Sequence, residues 1–315
     1  MLTIFRLADG RLTQVSADAQ AQLPDDAIWI DMVDPTAEDR LLVERAYKVH
    51  LPNREEIIEI EASSRFFRDI DGLHIHSLFL HEFEDTTVNV EAAFILNHHC
   101  LFTLHEQKLA TFRLFRQAAD RQPDIATDAT SILLGLFEYK VDHLADILET
   151  VYTGLEPVSQ SVLGRKDTEM EVLLGNIARF EDITGKVRLS LLDAQRALTF
   201  VQRNSQLGSE TQEQAQELLR DIDSLMPHTA FLFDKVNFLM GAVHGFTNIE
   251  QNQIIKILSV AAVVFLPPTL IASIYGMNFH FIPELHWHYG YPAALLLMVI
   301  SGFVPMWYFK KKGWL

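Results

Sequence analysis

The carboxyl-terminal tail of this chain constrains its fold more than any other feature. Two runs without a formal charge, residues 257–275 and 289–309, follow one another within the last 62 residues. At a rise of ~1.5 Å per residue, each run forms a helix of about 30 Å, which matches the hydrocarbon thickness of a bilayer. We therefore predict two membrane-spanning helices joined by a loop at residues 276–288. A pair of buried helices in a soluble core is the alternative.

The formal charge is distributed unevenly along the 315-residue chain. The whole sequence has 26 basic and 42 acidic side chains, a net charge of −16. Residues 254–315 carry +3, so the preceding 253 residues carry −19. An acidic chain of this kind is not a general nucleic-acid binder, because such proteins need basic groups to displace counterions from phosphates.

The basic residues that flank the two spans predict their orientation. Lys256 begins the first span, and three lysines at residues 310–312 directly follow the second. Basic flanks stay on the cytoplasmic side, so we expect both termini in the cytoplasm and the loop at 276–288 outside. The single cysteine, Cys100, suits a reducing compartment.

The first predicted span differs from a simple membrane anchor. Pro267 and Pro268 fall in its middle, where each removes a backbone donor. Ser259, Thr269 and Ser273 place hydroxyls on roughly one helical face. A water-lined face and ordinary packing between helices both account for this pattern. Two spans cannot enclose an aqueous path, so a pore would require several copies of the chain.

The acidic region is predicted to combine a small sheet with long helices. Residues 1–125 contain strand-like runs. One pair of these runs flanks the turn signal Asp9-Gly10, and another pair flanks Asp71-Gly72. A helix is expected from Asp34-Pro35-Thr36 to Tyr47, and a further hairpin from residues 88–96 and 100–104. We assign residues 1–125 to a cytoplasmic α/β domain, 126–253 to a helical domain and stalk, and 254–315 to the membrane.

An apolar heptad indicates one very long helix before the first span. The spacing alternates between four and three residues over nine positions, and one of the nine residues is polar. These positions are Leu218, Ile222, Leu225, Thr229, Leu232, Val236, Leu239, Val243 and Phe246. Pro227 predicts a kink or break near Met226. Residues 130–205 are expected to form an antiparallel helix pair that packs on this helix, with turns near Gly164 and Gly208.

The end of the first span carries a family resemblance. Gly276-Met277-Asn278 stands at the end of the span, the loop contains Pro283-Glu284-Leu285, and residues 265–269 are FLPPT. With the terminal KKGWL, these residues resemble the CorA family of divalent-cation transporters over the whole chain. The resemblance implies an α+β membrane protein of the bacterial cytoplasmic (inner) membrane. It implies a cytoplasmic α/β head, long stalk helices and two spans, assembled as a funnel-shaped homopentamer.

The resemblance also implies the transported ion and the residues that meet it. Mg²⁺ is the expected ion, with Co²⁺ and Ni²⁺ as alternative substrates, and Gly276, Met277 and Asn278 form the selectivity filter. Five Asn278 carboxamides would contact the waters that Mg²⁺ gives up reluctantly, although a helix cap is the other role open to Asn278. The pore-lining positions carried over are Asn252, Ile255, Leu258, Leu266, Thr269 and Ser273. Packing against lipid or another helix is the alternative for the apolar three.

Regulation is the least specific part of the resemblance. Intracellular Mg²⁺ is expected to bridge carboxylates of neighbouring protomers, and Asp221 and Asp223 are our candidates, with a solvated acidic face as the alternative. Glu284 is the only carboxylate of the external loop, where many relatives carry a second acid at the position of His280. Gly276 is expected to permit a tight turn before that loop.

We expect no enzyme activity, because the sequence shows no phosphate loop, nucleophile elbow or convincing acid–base pair. Transport should then be passive. Two other functions stay open: a zinc transporter similar to ZntB in the same superfamily, and a membrane-tethered regulatory or scaffold protein. Methionine in Gly276-Met277-Asn278 favours the magnesium branch.

Overall fold

A computed structural model gives the fold over most of the chain. It describes residues 1–15, 23–57, 65–83, 86–164, 170–205, 207–278, 280, 282 and 286–314. The chain divides into two compact units, Met1–Met240 and Gly241–Leu315. The sequence-based division at residue 125 remains a prediction.

The first unit begins with the hairpin predicted from Asp9-Gly10. Strand β1, Leu2–Ala8, pairs antiparallel with β2, Arg11–Val15. Both turn residues have positive φ, 51° at Asp9 and 73° at Gly10. Two-residue hairpin loops favour this combination because its twist matches that of the strands, and glycine and aspartate adopt it at low cost. The turn prediction is confirmed.

The described strands form one seven-stranded sheet in the order β2-β1-β3-β7-β6-β5-β4. The remaining strands are β3, Trp29–Val33; β4, Phe66–Arg68; β5, Leu73–Phe83; β6, Thr86–Leu96; and β7, Leu101–His105. The pair β3–β7 is parallel, and the predicted hairpin of β6 and β7 is present as an antiparallel pair. Gly72 turns β4 into β5 with φ 143° and lies against the Leu96 carbonyl, which leaves no space for a side chain.

Short helices cover the sheet. Helix α1, Ala37–Tyr47, begins with a capping box between Thr36 and Asp39, close to its predicted limits. Helix α2 is Arg54–Ile57 and helix α3 is Ala110–Arg121. One buried cluster joins α1 to the sheet through Val43, and it includes the alternating residues Ile30, Met32, Phe102 and Leu104.

Two long helices form the predicted antiparallel pair. Helix α4, Ala129–Leu163, starts at an Asp128 cap and ends before Gly164, and α5 is Met170–Asn204. Lys140 of α4 bonds Asp193 of α5, whereas Gly154 further along α4 packs on Phe180 earlier in α5. Contact positions that rise along one helix and fall along the other establish the antiparallel arrangement.

Helix α6 extends from Ser209 to Tyr275 and contains the predicted heptad. Most heptad positions in residues 218–243 are buried, and even the polar Thr229 is fully buried with its hydroxyl donating to the Met226 carbonyl at 2.7 Å. The helix is continuous through Pro227, so the alternative of a local break was wrong. Helix α7, Gly290–Lys311, follows, and Gly208 precedes α6 as expected.

A buried ionic network joins β5 to α4 and α5. The Asp193 carboxylate accepts hydrogen bonds from Arg65 at 2.7 Å, from the Ser77 hydroxyl at 2.5 Å and from the Leu78 amide at 2.8 Å. The Lys140 ammonium lies 3.4 Å from the same carboxylate and is 1% exposed. Burial lowers the pKa of Lys140 to about 8, opposed by the attraction of Asp193.

Candidate membrane pore

The described tail contains two helices that are long and apolar enough to cross a bilayer. They are α6 and α7, with mean hydropathies of 2.2 and 1.7 in their most apolar windows and few residues buried there. Helices in a soluble core of one chain would instead be mostly buried. The predicted limits of the second span, residues 289–309, agree with α7 to within two residues.

The residues predicted to line a pore lie on one face of α6. At about 100° per residue, the six positions fall within an arc of about 120°. All six are exposed in the single chain: Asn252, Ile255, Leu258, Leu266, Thr269 and Ser273. We call this face the pore stripe. It has polar residues at both ends and apolar residues between them.

The second span covers the opposite face of α6. Val260 is 6% exposed, and the half-buried residues of the same face include Val264, Pro268, Ile271 and Tyr275. Gly302 of α7 packs here, since a Cβ atom added to it would lie 3.5 Å from both the Val264 carbonyl and the Pro268 ring. Pro268 leaves that carbonyl without its helical donor. Small residues on α7 thus permit close contact with the proline-containing turn of α6.

The predicted filter follows the end of α6 directly. The Gly276 amide still donates to the Ala272 carbonyl at 2.9 Å, and the Met277 amide donates to that of Ile274 at 3.3 Å. Gly276 is not among the described glycines with positive φ, so it continues the helical turn instead of reversing the chain. Met277 and Asn278 are exposed beyond it. Glu284 lies outside the described residues.

The two regulatory candidates on α6 point in different directions. Residues two apart on a helix diverge by about 160°. Asp223 accepts a hydrogen bond from the Gln195 amide of α5 at 2.7 Å. Partial burial raises the pKa of the Asp142 carboxyl of α4, and the negative charges of Asp146 and, to a smaller extent, Asp221 raise it further. Asp221 therefore lies on the side of α6 that faces Asp142, away from the direction of Asp223 in the same chain.

The sequence analysis did not predict a buried cluster of polar and charged side chains in the first unit. Asp31 is fully buried, and its carboxylate accepts from Thr103 at 2.8 Å and from Arg116 at 2.8 Å. His105 lies 2.9 Å from the same carboxylate through Nε2. An aspartate within the apolar strand WIDMV was the available signal, because buried charges are normally paired.

His74 and His76 share a face of β5, where both side chains are buried. Burial and the neighbouring His74 lower the pKa of His76 to about 4, opposed by an interaction with the backbone of Glu56. Phe67 stacks on His74 with a centroid distance of 4.4 Å. Among the described residues, no group of three or more histidine, cysteine or acidic side chains could hold a metal ion.

Several known proteins are similar to this chain in sequence or in fold. The family model described as "CorA-like Mg2+ transporter protein" matches residues 24–311. The magnesium transport protein CorA of Salmonella typhimurium is 49% identical over 317 residues, covering all of both chains. The solved CorA magnesium transporter of Methanocaldococcus jannaschii is 22% identical, with a TM-score of 0.79 over 100% of this chain and 99% of that one.

A second solved structure has a similar fold over part of this chain. The ZntB cytoplasmic domain of Vibrio parahaemolyticus is 13% identical, with a TM-score of 0.61 over 78% of this chain and 97% of that one. At such low identities, likeness to the two solved structures establishes the fold alone. The longer match, to the transporter from Methanocaldococcus, includes the long helix α6 and the last helix α7.

Proposed function

This chain belongs to the CorA family of Mg²⁺ transporters, and we propose that it is a channel for passive Mg²⁺ uptake. Five copies surround one pore in the bacterial cytoplasmic membrane, with both termini inside, and Co²⁺ and Ni²⁺ also pass. The inside-negative potential supplies about 2.3 kcal/mol per charge per 100 mV, hence about twice that for a divalent ion. The observation that carries this proposal is the pore stripe, which the second span of the same chain leaves uncovered.

The chemistry of the pore stripe suits a gated water path. Ile255, Leu258 and Leu266 would form apolar rings in the pentamer, and narrow apolar rings close a pore by expelling water. Asn252, Thr269 and Ser273 would offer polar rings on either side of that barrier. Of these, Thr269 donates its hydroxyl proton to the Phe265 carbonyl at 2.7 Å, so its oxygen would act in the pore as an acceptor.

The filter and the loop act at the outer mouth in this proposal. Five Asn278 carboxamides accept hydrogen bonds from the inner-shell waters of Mg²⁺, which the ion exchanges reluctantly. A neutral ring holds a divalent ion less strongly than a ring of carboxylates, which favours its release into the pore. Glu284 raises the local cation concentration near the mouth.

Intracellular Mg²⁺ closes the channel by joining protomers. Asp221 and Asp223 are the proposed ligands, and their divergence within one chain suits a site that each protomer shares with its neighbour. When Mg²⁺ leaves, repulsion between the acidic head domains favours the open state.

Cysteine substitution tests the pore stripe directly. Cys100 is 2% exposed and burial raises its pKa to about 12, so the native thiol should not react near neutral pH. Cysteines placed at Ile255, Leu258 and Leu266 should react with a charged, membrane-impermeant methanethiosulfonate. We expect the reaction to block Mg²⁺ uptake into reconstituted vesicles, because the added group occupies the water path.

Val260→Cys and Val264→Cys are the matched controls, because these residues lie on the face that α7 covers. They should neither react nor lose uptake after treatment. Reaction at the control positions with no reaction on the pore stripe would reverse the assignment of the two faces and contradict the pore.

A further inference from the structure

The end of helix α7 is capped by a Schellman motif. Gly313 adopts φ 69°, and its amide donates to the Lys310 carbonyl at 3.2 Å. The Trp314 amide donates to the Phe309 carbonyl at 3.0 Å, and the two rings stack with centroids 5.5 Å apart. These two hydrogen bonds and the accompanying apolar contact define the motif, and glycine serves it best because it adopts a left-handed conformation freely.

The cap attaches the end of α7 to α6. The Lys256 ammonium donates to the Gly313 carbonyl at 3.4 Å and lies 5.8 Å from the centre of the Trp314 ring. Lys256 therefore contacts both residues that the cap positions. Contact of an ammonium with an indole face is favourable because the ring presents negative charge density.

Three further ammonium groups follow one another at the end of α7. Lys310, Lys311 and Lys312 are exposed in the last turn of α7 and at its cap. Lys311 lies 5.5 Å from the Trp307 ring and Lys312 lies 5.8 Å from the Tyr308 ring. We call Lys256, Lys310, Lys311, Lys312 and Trp314 the lysine corner. No salt bridge connects its lysines to an acidic side chain in the described part of the chain.

We propose that the lysine corner binds the headgroup of an anionic phospholipid of the cytoplasmic leaflet. The apolar segment of α6 begins here and α7 ends here. Aromatic rings suited to the interface lie beside the site, and four cations lack a counter-ion from the described residues. A lipid phosphate supplies that negative charge while its chains pack along the apolar surface of α7. The inference rests on the membrane insertion that the proposed function requires, and it adds a lipid partner to it.

Lipid competition on the purified full-length protein tests this site. Native mass spectrometry would compare bound phosphatidylglycerol with bound phosphatidylcholine, supplied as an equimolar mixture with identical acyl chains. Each lysine near an anionic partner contributes about a fivefold preference. We expect K310Q/K311Q/K312Q to lower the preference for phosphatidylglycerol by at least about tenfold. K108Q/R113Q/R121Q, with the same charge change on the first unit, should retain it.

A second variant separates a built site from general attraction between charges. Gly313→Val retains every charge and Trp314, but a β-branched residue strongly disfavours the left-handed conformation of the cap. The preference should fall by at least about threefold, which corresponds to roughly 0.7 kcal/mol in relative binding free energy. Gly208→Val is the control, since a side chain there meets open space.

Two results would overturn the lipid site. One is an unchanged preference in Gly313→Val, which would leave only diffuse attraction. The other is an unchanged preference in the triple glutamine variant; a smaller assembly by light scattering would then assign the lysines to a contact with a neighbouring copy. Mg²⁺ uptake is measured separately, so an intact lipid preference without uptake by the wild-type protein would contradict the proposed function alone.

Discussion

Replacing Asn278 by alanine is expected to reduce Mg²⁺ uptake to the level of vesicles without protein. In the proposed pore, five carboxamides at this position contact the hydration shell of the entering ion. Alanine removes all five acceptors, and Mg²⁺ does not readily lose its waters to compensate. The side chain is exposed beyond the end of α6, so its removal leaves no cavity in the chain. Stopped-flow fluorescence with a Mg²⁺-sensitive dye inside the vesicles measures the effect.

Asn204→Ala is the matched control, because it makes the same substitution where the amide only donates to the Phe200 carbonyl of its own helix, at 2.9 Å. It should retain wild-type uptake. Light scattering should show the same assembly for both variants and the wild type. Wild-type uptake by Asn278→Ala would reject the filter role of this residue and leave helix capping as its function.

Replacing Asp193 by alanine should cause the largest loss of stability. This carboxylate accepts from Arg65, Ser77 and the Leu78 amide and faces the buried Lys140. Without it, the buried Lys140 ammonium and the largely buried Arg65 guanidinium lose their counter-ion. Breaking a buried pair in this way costs about 3–5 kcal/mol. Thermal unfolding of the full chain in detergent should show a midpoint lower by on the order of 10 °C.

Asp182→Ala provides the control on the same helix. Asp182 forms a 2.6 Å pair with Lys186 at the surface, and exposed pairs contribute about 1 kcal/mol or less. Adding Lys140→Met to Asp193→Ala should recover part of the loss, because it removes the unpaired buried cation. If Asp193→Ala proved no less stable than Asp182→Ala, or if Lys140→Met lowered the midpoint further, the network would not have the role assigned to it.

Local signals predicted the hairpins and the membrane helices well, since the cause of each structure lies within a few neighbouring residues. Asp9-Gly10 supplies the two positive φ values that its turn requires. The uncharged runs of the tail have the length of a bilayer-spanning helix, and the heptad of α6 marks the face that is buried.

Long-range pairing was not predictable in the same way. Asp193 and Lys140 are 53 residues apart, and each lies in a helix rich in other charges. Lys140 interrupts an apolar helical face, which signals a buried charge but does not identify its partner. Pro227 likewise indicated a kink or a break, but packing of the heptad on both sides keeps α6 continuous. The proposed pentamer would depend on contacts between copies, which a single sequence encodes only indirectly.

Competitive ion uptake by the wild-type protein in sealed vesicles tests the central claim most directly. The vesicles would receive Mg²⁺, Co²⁺, Ni²⁺ or Zn²⁺, alone and in competition, with and without an imposed proton gradient. We predict uptake of Mg²⁺, inhibited by Co²⁺ and Ni²⁺, that follows an inside-negative potential and does not depend on the proton gradient. Uptake of Zn²⁺ that requires the gradient, or no flux of any divalent ion, would contradict a passive magnesium channel.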